Sequence, residues 1–470
     1  MKDVKEVGFV QSVRGQVAYI DGLPNVSMGE VVVGQQGERG YVGSFYKDHA
    51  EVFLLDGPAE PGEMFSRKGT GLGNSVGDFL LGRVINPLGE AIDHRGALNE
   101  KDGERVPMFQ KSVGIMGRRF IESQFDTGIT VIDTIFPLGK GQRELFLGEG
   151  RSGKTQTLID IVANQVGKKV VCVFALIGRP VSEVRGIWAN LERYGILSKI
   201  IFLVASSADP SPLIYLAPHA AMSVAEWFAK SGRDVLVILE DMGSHARNYR
   251  EMTLLSGGSP GRESYPGDIF YQHARIVERA GSFVNQNGKQ GGSITLLPVL
   301  ELASSDISSF IPTNLMGMTD GHLLFKPVLS RQGRHPAIDL FFSVTRVGSQ
   351  TQDRLQNKLA TKIKEVLARG AELELVSRFG SELPLETRQL LTQKRQIEEL
   401  LSQPPRTFLS KEIQIMLLGL TFTAFLKGKD LDFVKNNHQK LITALAGQKL
   451  PVCKDLDQLF AYLETLKLAL

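Results

Sequence analysis

Residues Gly148-Glu149-Gly150-Arg151-Ser152-Gly153-Lys154-Thr155 match the pattern G-x-x-x-x-G-K-[ST]. The motif works only where a short buried strand delivers the chain into a tight loop and a helix leaves it. Its glycines let backbone N–H groups converge on phosphate oxygens. Lys154 then reaches the outer phosphates, and the Thr155 hydroxyl sits on Mg²⁺. The flanks suit this. Arg143-Glu144-Leu145-Phe146-Leu147 reads as a buried strand, and Thr155 to Val166 as a helix ended by Gly167. Bound phosphates would lie at a helix N-terminus, where the dipole and free amides favour anions. A chance glycine-rich turn would explain the glycines but not the Lys-Thr pair in this context.

Around this loop the chain has 470 residues, room for two to four domains. A net charge of +3 gives no reason to expect nucleic acid. Two cysteines, Cys172 and Cys453, cannot build a disulfide framework, and a reducing compartment is expected. No apolar run reaches the roughly 18 residues of a membrane span. The start, Met1-Lys-Asp-Val-Lys-Glu-Val7, lacks the apolar core of a signal peptide. Any work at a membrane is therefore expected to go through partners.

Residues 1–70 alternate short apolar runs (7–10, 16–20, 30–33, 41–42 and 51–55) with glycine turns, the spacing of a small β-barrel. A glycine-rich connector follows, with a turn at Asn86-Pro87-Leu88-Gly89. From about 141 to 350, apolar runs at 169–177, 199–204, 234–239 and 293–300 alternate with helical stretches at 184–194 and 217–231. This indicates a parallel sheet covered on both faces. From 353 onward only helical periodicity remains, at 356–379, 384–401, 411–426, 430–445 and 455–468. The expected domains are thus a barrel (1–70), an α/β phosphate-loop domain of RecA-like type (71–352) and a helical bundle (353–470).

Two further stretches bear on chemistry. Asp234-Val-Leu-Val-Ile-Leu-Glu240-Asp241 is an apolar strand ending in acids, which suits a carboxylate beside the Mg²⁺ on Thr155. Glu240 ends the strand, and Asp241 is the second choice. Ser343-Val-Thr-Arg346-Val-Gly-Ser places an arginine near a strand end. Such a residue can reach a neighbouring subunit's γ-phosphate, though from these residues alone a surface or salt-bridged arginine is the favoured reading. His219, His245, His273 and His322 lack metal-ligand spacing and read as core or surface residues.

Several longer motifs together resemble the rotary ATPase family: Gly148–Thr155, Pro260-Gly-Arg-Glu-Ser-Tyr-Pro-Gly-Asp268, Ile311-Pro-Thr-Asn314, Ser343–Ser349, Leu81–Gly89 and Ile132–Arg143. Arg262–Asp268 and Phe379-Gly-Ser-Glu-Leu383 resemble the alpha subunits of F-type ATP synthases. The resemblance covers nearly the whole chain. It implies ATP or ADP with Mg²⁺ as ligands and a ring of three alpha and three catalytic beta subunits. It also implies a gamma central stalk and a membrane-embedded sector moving protons or sodium ions. The complex would lie on the cytoplasmic face of a bacterial-type inner membrane. By resemblance Arg346 is the arginine that alpha supplies to the adjacent catalytic site, and Gln403 belongs to the adenine pocket.

Departures from the family pattern sharpen these expectations. Catalytic members end the strand after the phosphate-loop helix in Gly-Glu, and that glutamate polarises the attacking water. Here the strand ends Gly178-Arg179-Pro180. An arginine cannot accept that proton, and Glu183, four residues on, is expected to point elsewhere. Arg151 replaces a usual glutamine, Glu240 a usual aspartate, His335 an arginine and Pro405 the companion of Gln403. The helix that docks the peripheral-stalk delta subunit has no counterpart in this sequence. The expected function is a regulatory, nucleotide-holding alpha subunit, inactive alone. The alternatives are a self-sufficient homohexameric export-type ATPase, which needs the missing glutamate, and a scaffold that binds nothing.

Overall fold

The computed structural model describes residues 6–165, 167–284, 290–304, 306–377, 384–466 and 468. The resemblance at Phe379–Leu383, and most of the amino-terminal stretch argued against a signal peptide, lie outside them. Six strands form a closed barrel in the order β1-β2-β5-β4-β3-β6. They are β1 (Val7–Arg14), β2 (Val17–Asp21), β3 (Glu30–Gly34), β4 (Arg39–Phe45), β5 (Ala50–Leu54) and β6 (Met64–Gly71). Val10, Ile20, Val32, Val42, Val52, Leu54 and Phe65 fill its interior. Strand β6 carries no alternating apolar pattern, yet it closes the barrel by pairing with both β1 and β3. Only Phe65 gives it a fully buried anchor. Arg67 supplies the rest through ion pairs to Glu30 (2.8 Å) and Glu6 (3.1 Å).

Beyond the barrel come the paired β7 (Gly73–Val76) and β9 (Glu104–Pro107), with β8 (Val84–Ile85) between them and β10 (Arg118–Arg119) after. The chain then runs β11 (Leu145–Glu149), α1 (Lys154–Ala163), β12 (Val170–Arg179), α2 (Val181–Arg193), β13 (Ile200–Ser206), α3 (Ser211–Lys230) and β14 (Asp234–Glu240). It continues through α4 (Met242–Leu255), α5 (Ile269–Val277), β15 (Gly281–Val284), β16 (Gln290–Leu302), α6 (Phe310–Met318), β17 (Gly321–Phe325), α7 (Pro327–Arg331) and β18 (Val344–Thr345). The last helices are α8 (Arg354–Ser377), α9 (Leu385–Leu400), α10 (Lys411–Gly419), α11 (Leu431–Ala446) and α12 (Leu456–Thr465).

Packing divides the chain into two compact units that do not follow linear order. The first holds residues 1–120, 141–147 and 166–320; the second holds 121–140, 148–165 and 321–470. In the first unit β16, β14, β12, β13 and β8 lie side by side and parallel. Val171 to Ile177 of β12 are all buried, as a strand covered on both faces requires. Helix α3 begins at Ser211, six residues before the expected start. Its Pro212 sits in the first turn, where no N–H is needed, and Pro218 is accommodated inside a wholly buried stretch. His219, His245 and His273 are buried in this unit, while His322 of the second is half-buried. In the second unit α8 packs along α9, and α10 stops at Gly419, short of the expected Leu426, because a 3₁₀ turn follows.

Candidate functional site

The phosphate loop lies in the second unit. Gly148 has φ +153°, and a Cβ there would collide with the Phe325 carbonyl. Gly153, at φ +90°, caps α1 in a left-handed conformation that favours glycine. Arg151, at φ +58°, is exposed at the loop tip, and Gly150 and Glu149 are half-buried. The buried Lys154 folds back so that its Nζ donates to the carbonyls of Gly148 and Glu149, both at 2.7 Å, and to Ser152 Oγ at 3.2 Å. Ser152 Oγ in turn donates to Glu149 O. Thr155 is half-buried on the first turn of α1, whose leading amides have no acceptor within the helix. The loop therefore brings a buried lysine and a helix N-terminus together on a glycine-shaped turn.

Beside it, still within the second unit, a narrow cleft is lined by Gly153 and Thr157 on one side. His335, Pro336 and the Gln403–Pro405 segment line the other. Gln403 is buried. Its Oε1 accepts from Thr130 N (3.0 Å) and Thr130 Oγ1 (2.8 Å); its Nε2 donates to Gly128 O (2.8 Å) and Thr407 O. Below this, buried Asp133 accepts from Thr127 N, Thr127 Oγ1, Gly128 N and Gln414 Nε2. Burial outweighs those bonds and pushes its carboxyl up to about 6. Thr130 and Asp160 lie in none of the quoted motifs, and Asp133, though inside Ile132–Arg143, is marked there by no polar pattern, because its partners come from residues 127, 128 and 414.

In the first unit, Arg179 ends β12 directly after Gly178, whose φ is +64° and whose missing Cβ leaves room for Ser244 Oγ. The guanidinium lies 3.2 Å from Glu301, 3.5 Å from Glu183 and 3.6 Å from Glu240. Glu183 thus turns back toward Arg179, one helical turn away, rather than pointing elsewhere. Burial opposes the charge on Arg179, but Asp241, Glu240, Glu301 and Glu183 overcome it and raise its pKa. Glu240 and Asp241 are themselves buried at the end of β14. Asp241 caps α4 through Gly243 N and lies 3.6 Å from Arg247. Glu301, at the carboxyl end of β16, is the member of this cluster that no motif marks.

Arg346 follows β18 in the second unit. It is exposed, and among the described residues no carboxylate lies within ion-pair distance of it. Phe341, Phe342 and Val344 beside it are exposed apolar side chains. The segment is pinned from behind. Thr345 Oγ1 donates to Pro137 O, and Gly348 approaches Pro137 so closely that a Cβ would land on its carbonyl oxygen.

Comparison with known proteins agrees with this layout. Residues 128–345 match the nucleotide-binding domain of the ATP synthase alpha/beta family, and residues 352–467 match the C-terminal domain of its chains. The ATP synthase subunit alpha of Metamycoplasma arthritidis is 39% identical over 416 residues, 88% of this chain and 78% of that protein. ATP synthase subunit alpha 1 of Chlorobium luteolum is 39% identical over 88% of this chain and 81% of its own. The subunit alpha of Pediococcus pentosaceus is 37% identical over 95% and 88%. The chain belongs to the ATP synthase alpha/beta family, and it is the alpha subunits that it resembles.

Proposed function

We propose that this chain is the non-catalytic alpha subunit of an F-type ATP synthase, holding nucleotide at Gly148–Thr155 without hydrolysing it. The observation that carries this is Arg179. The residue at the end of β12 is a cation bound among Glu183, Glu240 and Glu301, and a guanidinium cannot take a proton from attacking water. Mg²⁺ takes hard oxygen donors such as the Thr155 hydroxyl, to which the motif assigns it, and would neutralise phosphate charge; Glu240 and Asp241, which end β14 in the first unit, are the carboxylates proposed from the sequence for the same ion.

The reaction this chain serves takes place in a neighbouring beta subunit. Exposed Arg346, set among apolar side chains that a partner would cover, is the group that reaches it. Charge developing on a transferred phosphoryl group is stabilised by such an arginine. The implied assembly alternates three alpha and three beta subunits around a gamma stalk. It docks peripherally on a membrane sector that moves protons or sodium ions, on the cytoplasmic face. No helix of the described residues is long and apolar enough to cross a membrane. The domains expected at 1–70, 71–352 and 353–470 remain our functional division of the chain.

The test is to purify the chain alone, measure its bound nucleotide and assay ATPase activity. Resident ATP or ADP without turnover is expected. Turnover of about 1 per second or more, typical of working enzymes, would instead identify a self-sufficient ATPase.

A further inference from the structure

We infer that His322 is a positioning residue for Arg346: its neutral ring holds the Phe342 carbonyl and so fixes the segment that carries the guanidinium. The inference rests on reading Arg346 as the group that reaches a neighbouring catalytic site.

An arginine that acts across a subunit boundary must arrive at one place, and a misplacement of about 1 Å can cost roughly 10²-fold in rate. Little backbone pairing places Arg346. It follows a ladder of two residue pairs, Gly321↔Thr345 and His322↔Val344. Side chains supply the other ties. Beyond the last pair, His322 Nε2 lies 2.8 Å from the Phe342 carbonyl oxygen. Leu324 N donates to the buried Ser343 Oγ at 2.9 Å. Asp339 Oδ1 accepts from Phe341 N and Phe342 N, both at 2.8 Å, and its Oδ2 pairs with Lys326 at 2.6 Å. On the other flank Thr345 Oγ1 donates to Pro137 O at 3.1 Å. Among these groups only an imidazole changes charge near neutrality.

The state of the ring follows from its partner. A carbonyl oxygen only accepts, so Nε2 carries the hydrogen and Nδ1 is the bare nitrogen. Nδ1 is buried and has no hydrogen-bond partner. A proton added there would bury an N–H without an acceptor and set a second cation near Arg346. Burial, foremost, holds the ring's pKa below its ordinary 6.5; the bond to Phe342 opposes this, and the charge on Arg346 adds to it. The other charged side chains of the two strands and their flanks are committed, Lys326 and Asp339 to each other, and Asp320 to Arg143. The ring is therefore neutral at pH 7. Acid turns it from a tie into a repulsive neighbour of the guanidinium.

The experiment is steady-state ATP hydrolysis against pH by the ring assembled with its beta subunits, carrying His322→Leu, His322→Gln, Arg346→Ala or both His322→Leu and Arg346→Ala. Leucine has no donor; glutamine keeps one and does not titrate. We expect His322→Leu to lower kcat about 10- to 100-fold at unchanged KM, and to add no further loss when Arg346 is already alanine. His322→Gln should recover most of the rate and hold it to lower pH than wild type does. A kcat for His322→Leu within about twofold of wild type, in a ring that Arg346→Ala disables, would overturn the inference and leave the role of Arg346 standing. If His322→Leu fails to assemble, His322→Gln decides: an acid limb identical to that of wild type would overturn the inference. Near-wild-type hydrolysis with Arg346→Ala would overturn the role of Arg346, and this inference with it.

Discussion

Replacing Arg179 by glutamine tests the account of the strand-end cluster. The substitution removes a guanidinium that sits within 3.6 Å of buried Glu240 and faces two more exposed acids, Glu301 and Glu183. Breaking a buried ion pair by deleting one partner costs about 3–5 kcal/mol. Glu240 keeps other polar contacts, which sets the expectation at the lower end. Glu301 and Glu183 are roughly half exposed, and such pairs contribute at most about 1 kcal/mol each. The total expected is about 3–4 kcal/mol, read as a lower urea midpoint at unchanged slope. Arg179→Glu should cost more, because it adds a carboxylate to four acids already gathered there, and it should not confer ATPase activity. A loss below about 0.5 kcal/mol for Arg179→Gln would show that the cluster does not hold Arg179. Turnover near 1 per second in Arg179→Glu would show that Arg179 alone keeps this site from hydrolysing nucleotide.

Two other outcomes follow from the packing. His273 is buried, 5.3 Å from His245, which stacks on Tyr215 and faces His219, with Arg275 and Arg279 nearby. Desolvation lowers the His273 pKa to about 4. The unfolded state therefore binds the proton first, and stability falls as pH drops from about 6.5 toward 4, by roughly 3 kcal/mol for this residue. His273→Phe should flatten that acid limb in denaturation curves, and an unchanged limb would contradict the assignment. Gly348→Ala should destabilise by at least about 1–3 kcal/mol through overpacking against Pro137. A melting temperature equal to wild type would show that the Arg346 segment is not pinned there.

Much of this was legible in the sequence for physical reasons that can be named. The phosphate loop reads directly because its glycines answer to backbone geometry, and those demands appear at Gly148 and Gly153. The buried sheet reads from unbroken apolar runs. Strand β6 does not, because ion pairs of Arg67 rather than apolar alternation hold it in the barrel. Pro218 hid the first part of α3, since a proline usually opens a helix rather than riding inside one. Gln403 was legible as a residue of the cleft but not as a strut, because its four bonds come from residues 128, 130 and 407. The contact between Glu183 and Arg179 is not legible from the sequence alone, because it depends on a helix start at Val181 that turns Glu183 back toward Arg179.

The most direct test of the central claim is Arg346→Ala in the ring assembled with its beta subunits. The account predicts normal assembly and retained nucleotide in this chain. Steady-state ATP hydrolysis should fall by about 10³- to 10⁵-fold, the contribution of an arginine that stabilises a neighbour's transition state. Hydrolysis close to that of the unsubstituted ring would contradict it.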